Sequence, residues 1–528
     1  MPKERLWWQT GIVYQIYPRS FQDTSGNGVG DLRGIISRLD YLHWLGVTAI
    51  WISPCFRSPM KDFGYDVSDY CDIDPLFGTL ADMDDVIVAA HERGIRVILD
   101  FVPNHTSDQH PWFIESRSSR DNPKREWYIW RDARPDGSPP NNWLASFGGI
   151  AWEWDEHTSQ FYYHAFLTEQ PDLNWRNPEV REAMFDVLRF WLDRGVDGFR
   201  VDVLYHLIKD EQLRDNPENP KWQEGDYPHR RLKALYSADQ DDVHKVVREM
   251  RQVFDSYEER VIIGETYVPL PRLIKYYGEN KDGAHMPFNF QLLLLEWQAE
   301  RVGEFIDRYE AALPEGAWPN WVLGNHDYSR VAWRIGAAQA RVAAMLLLTL
   351  RGTPTLYYGD ELGMANFEIP PDKVVDPPGV TLGRGRDGER TPMQWDGSRN
   401  AGFTSAEEPW LPLAHDYAEQ NAAGQREDPR STLTLHHRLI QLRQSEDALM
   451  AGSYARMHSA GDILAYTRRQ NGNGFAILLN LGGEGQVVEL DAANSGRIAL
   501  STHLDRGDEE VSKRITLRPN EGVIVRLG

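Results

Sequence analysis

Short apolar runs recur along the chain, and each one ends in polar or charged residues. They begin at Gly11 (GIVYQIY), Thr48 (TAIWISP), Arg96 (RVILDFV), Gly198 (GFRVDV), Val261 (VIIGE), His285 (HMPFNF), Trp318 (WPNWVLGN) and Thr353 (TPTLYYGD). The runs are continuous and not strictly alternating, the mark of strands buried on both faces in a parallel sheet. Between them the apolar spacing turns helical. LRGIISRLDYLHWLG, MDDVIVAAHERG and VREAMFDVLRFWLDRG stop at Gly46, Gly94 and Gly195, where a helix C-cap calls for glycine. Strand and helix alternate eight times. The pattern predicts the α/β class and a closed (β/α)8 TIM barrel.

The spacing predicts two departures from a plain barrel. Arg96 and Gly198, the starts of the third and fourth strands, are far apart, whereas a βαβ step needs roughly 30 residues. The excess is rich in Trp, Pro, Gly and Asn and predicts a subdomain inserted after strand 3. A second long loop follows strand 8, from Glu361 to about Pro429. Beyond about Ala451 the runs become short and are separated by Gly and Asn, which predicts a C-terminal antiparallel β-domain. The expected division is barrel 1–103, insertion 104–171, barrel 172–450 and β-domain 451–528.

Composition narrows the functional classes. A net charge of -22 opposes binding to nucleic acid phosphates. No apolar run is long enough to span a bilayer, and the N-terminal segment lacks the apolar core of a signal peptide. Two cysteines, Cys55 and Cys71, suit a reducing compartment, so the expected location is cytoplasmic. The 19 tryptophans supply core volume first and faces for sugar rings second. No sequence pattern for a serine nucleophile elbow, a zincin or a P-loop occurs. GRGRDG at Gly383 has the spacing of a dinucleotide loop, but Pro377 and Pro378 precede it and Pro392 follows, so it lacks the strand and helix such a loop needs.

In a TIM barrel the chemistry sits at strand C-termini. Those ends carry His105, Arg200 with Asp202, Glu265, and His326 with Asp327. Arg200 and Asp202 are two apart on a strand and share a face; an arginine beside a buried aspartate favours the ionised form a nucleophile needs. Glu265, close to other carboxylates, is expected to be raised toward a general acid. Two carboxylates in unlike environments are the requirement for glycoside hydrolysis. The stretch DTSGNGVGD from Asp23 begins like a calcium loop, but position 12 is Gly34 where an EF-hand needs glutamate, and a strand precedes it. A calcium sensor is excluded; a single structural cation in the first βα-loop is left open.

DFVPNH, GFRVDV, VIIGE and VLGNHD resemble, in order, the four signature regions of the α-amylase superfamily, glycoside hydrolase family 13. DFGYDVSDYCDIDPLFGT, QPDLNWRNPEVR, RGTPTLYYGDE and ERTPMQWD resemble the bacterial α-glucosidases and oligo-1,6-glucosidases. The resemblance covers essentially the whole chain. It implies Asp202 as nucleophile, Glu265 as acid/base and Asp327 as the third carboxylate. It implies Tyr65 as the platform under the sugar, Asp66 as the ligand of the terminal glucose and Arg386 as the partner of Asp66. His105, His326 and Arg200 are implied around the same sugar, and Phe147, Phe166 and Val203 among the substrate contacts. Asp23, Ser25, Asn27, the Val29 carbonyl and Asp31 match the family's metal loop for one Ca²⁺ or Mg²⁺, although relatives often have Asn for Ser25 and Asp for Asn27. No organic cofactor is implied. Relatives often carry Gln-Pro where Tyr328-Ser329 stand, and SFFGG where Ser146 to Gly149 stand after Ala145.

The expected activity is a retaining, exo-acting α-glucosidase on short oligosaccharides, favouring α-1,6 linkages because valine follows the nucleophile. Transglucosylation or sucrose isomerisation on the same scaffold is the alternative. A catalytically dead binding relative would lack the carboxylates. The oligomeric state is not legible.

Overall fold

Each of the eight apolar runs forms a strand in the computed structural model, which describes residues 5–490 and 492–528. They are β1 (Val13–Ile16), β2 (Ala49–Ile52), β3 (Arg96–Phe101), β4 (Gly198–Val201), β5 (Val261–Gly264), β6 (Met286–Pro287), β7 (Asn320–Val322) and β8 (Thr353–Tyr357). All lie in one sheet in the order β6-β5-β4-β3-β2-β1-β8-β7. Every neighbouring pair in that order is parallel. Because β8 pairs with β1, the sheet curls into a TIM barrel. Its strand residues are buried on both faces except Arg96, as their unbroken apolar character requires.

The expected helices follow. α1 (Leu32–Leu45) begins at Asp31, whose carboxylate caps the Gly34 N–H, and ends at Gly46 in the left-handed region (φ 94°), where a side chain would be strained. α2 (Leu80–Glu92) starts from a Thr79–Asp82 capping box. α3 (Pro178–Asp193) starts from Asn177 with proline in its first turn. The run AAMLLLTL lies in α4 (Ala337–Thr349), which is buried nearly all round. On its far side the C-terminal sheet meets it: the Thr349 hydroxyl bonds Tyr466 at 2.6 Å and Arg341 donates to the Thr502 carbonyl. A helix enclosed by two layers needs no polar face. No helix of the described residues is long and apolar enough to cross a membrane.

Between β3 and β4 lie a helix (Pro111–Ser118) and a three-stranded antiparallel sheet of Trp130–Arg131, Gln160–Tyr163 and Trp152–Asp155. Trp143, Trp152 and Tyr163 form its own small core. The chain after Gly452 forms a six-stranded sheet and a two-stranded ribbon, each ladder antiparallel.

The first βα-loop is tied shut by its own donors. Asp23 accepts from the Ser25 hydroxyl (3.0 Å) and Gly26 N–H (2.8 Å) on one oxygen, and from Gly28 N–H (2.8 Å) and the Thr404 hydroxyl (2.5 Å) on the other. Burial would raise the Asp23 carboxyl, but these donors hold it below the usual range. Asp31 is equally engaged, by Thr24, Ser25 and Gly34. Asn27 accepts from Val29 N–H. A carboxylate has about four lone-pair positions, and both aspartates have theirs filled. In this arrangement the two charged members of the set Asp23, Ser25, Asn27, Val29 and Asp31 offer no free lone pair to the Ca²⁺ or Mg²⁺ that the resemblance implies. The bond from Thr404, far away in the loop after β8, ties the two loops together.

Thr404→Val should therefore lower stability by roughly 1–3 kcal/mol, since it strips a donor from a buried charged acceptor. Chelator or added calcium should leave the melting temperature unchanged. A melting temperature that rises with calcium concentration, as mass action demands of a bound ion, would show that the loop takes a cation after all.

Candidate active site

One guanidinium organises the catalytic end of the barrel. Register places Asp100 of β3 beside Arg200 of β4, and Gly264 of β5 beside Val201. The next residues, Glu265 and Asp202, then leave neighbouring strand ends side by side. Arg200 is fully buried. Its Nη1 reaches Asp100 at 2.8 Å and Asp202 at 2.7 Å, and its Nη2 lies 2.8 Å from Glu265. The Trp51 ring lies beneath it, 5.0 Å from the guanidinium carbon. Sequence reasoning paired Arg200 with Asp202 alone; the arginine in fact serves three carboxylates, so it does not by itself choose which is ionised. Asp202 and Glu265 thus share one guanidinium, and the charge on Glu265 disfavours charge on Asp202. Burial raises both, with Arg200 opposing. Neighbouring buried carboxylates disfavour double ionisation, and a singly protonated pair is the state an acid and a nucleophile need.

The backbone after Asp202 is strained. Val203 sits in the left-handed region, with φ 35° and ψ 46°, a genuine outlier for a β-branched residue. The turn aims the Val203 N–H at Glu265 Oε2, 2.8 Å away. One unfavourable residue thus ends the strand, presents Asp202 and tethers Glu265. Val203 itself lines the pocket.

The far wall is closed by charge. Arg386 reaches Asp62 (2.9 Å), Asp327 (3.1 Å) and Asp376 (2.8 Å). Burial would raise the Asp327 carboxyl, but the Arg386 and Arg390 guanidiniums beside it hold it far below the usual range; it is an anion at any working pH. Asp62, also buried, is pushed up to about 6 against the pull of Arg386. The Gln15 amide donates to His326 Nδ1, which leaves Nε2–H for the Tyr65 hydroxyl, and that hydroxyl donates to Asp100. Tyr65 and His326 stack at 5.3 Å. Burial keeps both histidines neutral, pushing His105 down to about 4 and His326 further. His105, Phe147 and Phe166 complete the wall, with Arg386 over the Phe147 ring.

One expectation is corrected. Asp66 does not face the pocket and does not pair with Arg386. It is fully buried, and its carboxylate is spent on the Ser58 hydroxyl and the N–H groups of Lys61 and Asp62. It shapes the turn that presents Asp62, and Asp62 is the carboxylate in the pocket. The other residues expected around the sugar converge there: Tyr65, His105, Phe147, Phe166, Asp202, Val203, Glu265, His326, Asp327 and Arg386 line it, with Arg200 beneath. Ser146 and Tyr328, flagged as departures from relatives, lie on its rim.

The cavity holds about 400 Å³, within the range of small-ligand sites. Sequence reasoning missed Glu389 and the outer side chains Tyr205, Tyr227, His229, Arg230 and Tyr267. Only aromatic and basic composition marks them, with no periodicity to show which way they face. A wider groove of about 940 Å³ lies on the C-terminal sheet, near Arg456, His458 and Glu489; it gathers no facing carboxylates, so chemistry and not volume selects the barrel site. Cys55 is buried and its thiol is pushed well up by burial, hence inert.

Known proteins agree with this geometry. Residues 15–452 match the model of the alpha amylase catalytic domain. A probable alpha-glucosidase of Rhizobium meliloti (strain 1021) is 43% identical over 92% of this chain and 91% of its own. An oligo-1,6-glucosidase of Parageobacillus thermoglucosidasius is 38% identical over 99% of both. The solved alpha-glucosyl transfer enzyme XgtA superposes with a TM-score of 0.94 at 40% identity, covering 99% of this chain and all of that one. With the carboxylates in register at the strand ends, the chain belongs to the alpha-amylase family and is a glycoside hydrolase.

Proposed function

We propose that the protein is a retaining exo-α-glucosidase that releases terminal glucose from short α-glucosides, with α-1,6 linkages preferred. The observation that carries this reading is the Asp202–Glu265 pair held on one guanidinium in a pocket dead-ended by Asp62 and Arg386. A charged wall behind the sugar admits one terminal residue and no longer chain. Carboxyl groups drawn together on one guanidinium suit the short separation of a retaining enzyme rather than the wider gap in which an inverting one holds a water.

In this reading Asp202 attacks the anomeric carbon as the glycosidic C–O bond breaks, and Glu265 gives its proton to the departing oxygen. Glu265 then takes a proton from water, whose oxygen displaces Asp202. Asp327, ionised throughout, accepts from sugar hydroxyls. Arg200, beside both carboxyl groups, balances the single negative charge as it passes from Asp202 to Glu265 and back. If a sugar hydroxyl replaces water, the same intermediate gives transfer, the chemistry named for XgtA; the rim decides between them. The preference for α-1,6 rests on Val203. A threonine there would offer a hydroxyl to the leaving sugar or to a water, whereas valine offers a methyl. A cytoplasmic setting belongs to the same proposal and is supported by two free cysteines.

Asp202→Asn should reduce turnover by about 10⁴-fold or more with the melting curve preserved, and the first product seen by proton NMR should be the α-anomer. A β-anomer would refute retention. Glu265 works protonated and its pKa is raised by burial. Activity on isomaltose should therefore fall as pH rises through that raised value, and Glu265→Gln should erase this alkaline limb while sparing activated aryl glucosides. Val203→Thr should lower the isomaltose-to-maltose ratio of kcat/KM by several-fold, for one hydrogen bond of about 1 kcal/mol. An unchanged ratio would remove Val203 from the account.

A further inference from the structure

The mouth of the pocket lies between two loops, residues 223–232 and 377–385. Tyr227, His229 and Arg230 line it from the first, Pro378 and Gly385 from the second. The Tyr227 ring has the Arg230 guanidinium carbon 5.4 Å from its centroid and that of Arg384 at 5.7 Å. Arg230 also acts on the Tyr328 hydroxyl, partly offsetting the rise that burial imposes on that phenol. Tyr267, whose hydroxyl has no partner among the described residues, lines the same end.

Neither Arg230 nor Arg384 has a carboxylate partner among the described residues. The deeper arginines differ: Arg200, Arg386 and Arg390 each hold carboxylates. Gly225 approaches Arg384, yet its acidic neighbours leave that cation free. Asp226 turns back to the Gln223 N–H, and Glu224 is exposed. His229, pushed down to about 4 by burial, adds polarity and no charge. In a chain of net charge -22, this is a local reversal of sign. The pocket floor, with Asp202, Glu265 and Asp327, repels an anion. The mouth, one aglycone away, attracts one. Exposed arginines are usually solvated and idle, and an exposed ion pair is weak. These two are held at one aromatic ring, and Arg230 lies close enough to Tyr328 to act on its phenol.

We propose that the aglycone position takes α-glucosides whose aglycone carries an anionic group, a carboxylate or a phosphate. The body of the aglycone lies among Tyr227, Tyr267 and Tyr328, and its charge meets Arg230 and Arg384. This rests on reading the pocket as a glucosidase site.

The test compares 4-carboxyphenyl, 4-phosphonophenyl and neutral 4-carbamoylphenyl α-D-glucopyranosides as substrates of the native enzyme and of Arg230→Gln/Arg384→Gln. The readout is the anionic-to-neutral ratio of kcat/KM within one preparation, so any loss of folded protein cancels, and leaving-group electronics cancel between enzymes. The ratio should fall about five- to tenfold in the double variant, in line with two partly exposed charge-assisted contacts. In the native enzyme it should shrink as salt is raised. A larger effect for the phosphonate than for the carboxylate assigns the site to phosphate-bearing aglycones, and the reverse assigns it to carboxylates. A ratio unmoved by both the substitutions and salt overturns the inference while leaving the glucosidase reading intact. No hydrolysis of any of the three overturns that reading, and the inference with it.

Discussion

Everything in the active site depends on a single buried cation, Arg200, shared among three carboxylates. Stripping a guanidinium and three carboxyl groups of water is expensive, and the fold accepts it only because register delivers the partners without adjustment. Asp100 lies directly beside Arg200, while Asp202 and Glu265 emerge one residue beyond the paired ends of β4 and β5. One positive charge against three acids also favours retention of a proton in the cluster. The arginine therefore supplies geometry and protonation state together.

The remaining architecture protects that arrangement. The parallel barrel places all the strand ends on one mouth. The strained turn at Val203 is tolerated because its N–H reaches Glu265. The loop after β8 contributes twice: Arg386 closes the sugar pocket, and Thr404 ties down the first βα-loop through Asp23. One covering segment thus braces both the sugar pocket and the first βα-loop.

The barrel was legible because a strand buried on both faces needs an unbroken apolar run, and each run stops where the chemistry starts. For the same reason Asp202, Glu265 and Asp327 could be assigned from position alone. Asp66 was misassigned because Asp62 and Asp66 lie on one short turn, and spacing does not show which carboxylate is consumed by backbone N–H groups. The filled lone pairs of Asp23 depend on Thr404, 381 residues away in the chain, which no local motif reveals. Tyr227, His229 and Arg230 sit on a loop without periodicity, so nothing in their spacing pointed to the pocket.

The central claim is that Asp202 becomes covalently glucosylated. A slow substrate, 5-fluoro-α-D-glucosyl fluoride, loses fluoride readily but stalls the second step by disfavouring positive charge on the ring. After incubation, peptide mass spectrometry should find a fluoroglucosyl group on the peptide containing Asp202. An unmodified protein after turnover, or a label on the Glu265 peptide, would contradict the account.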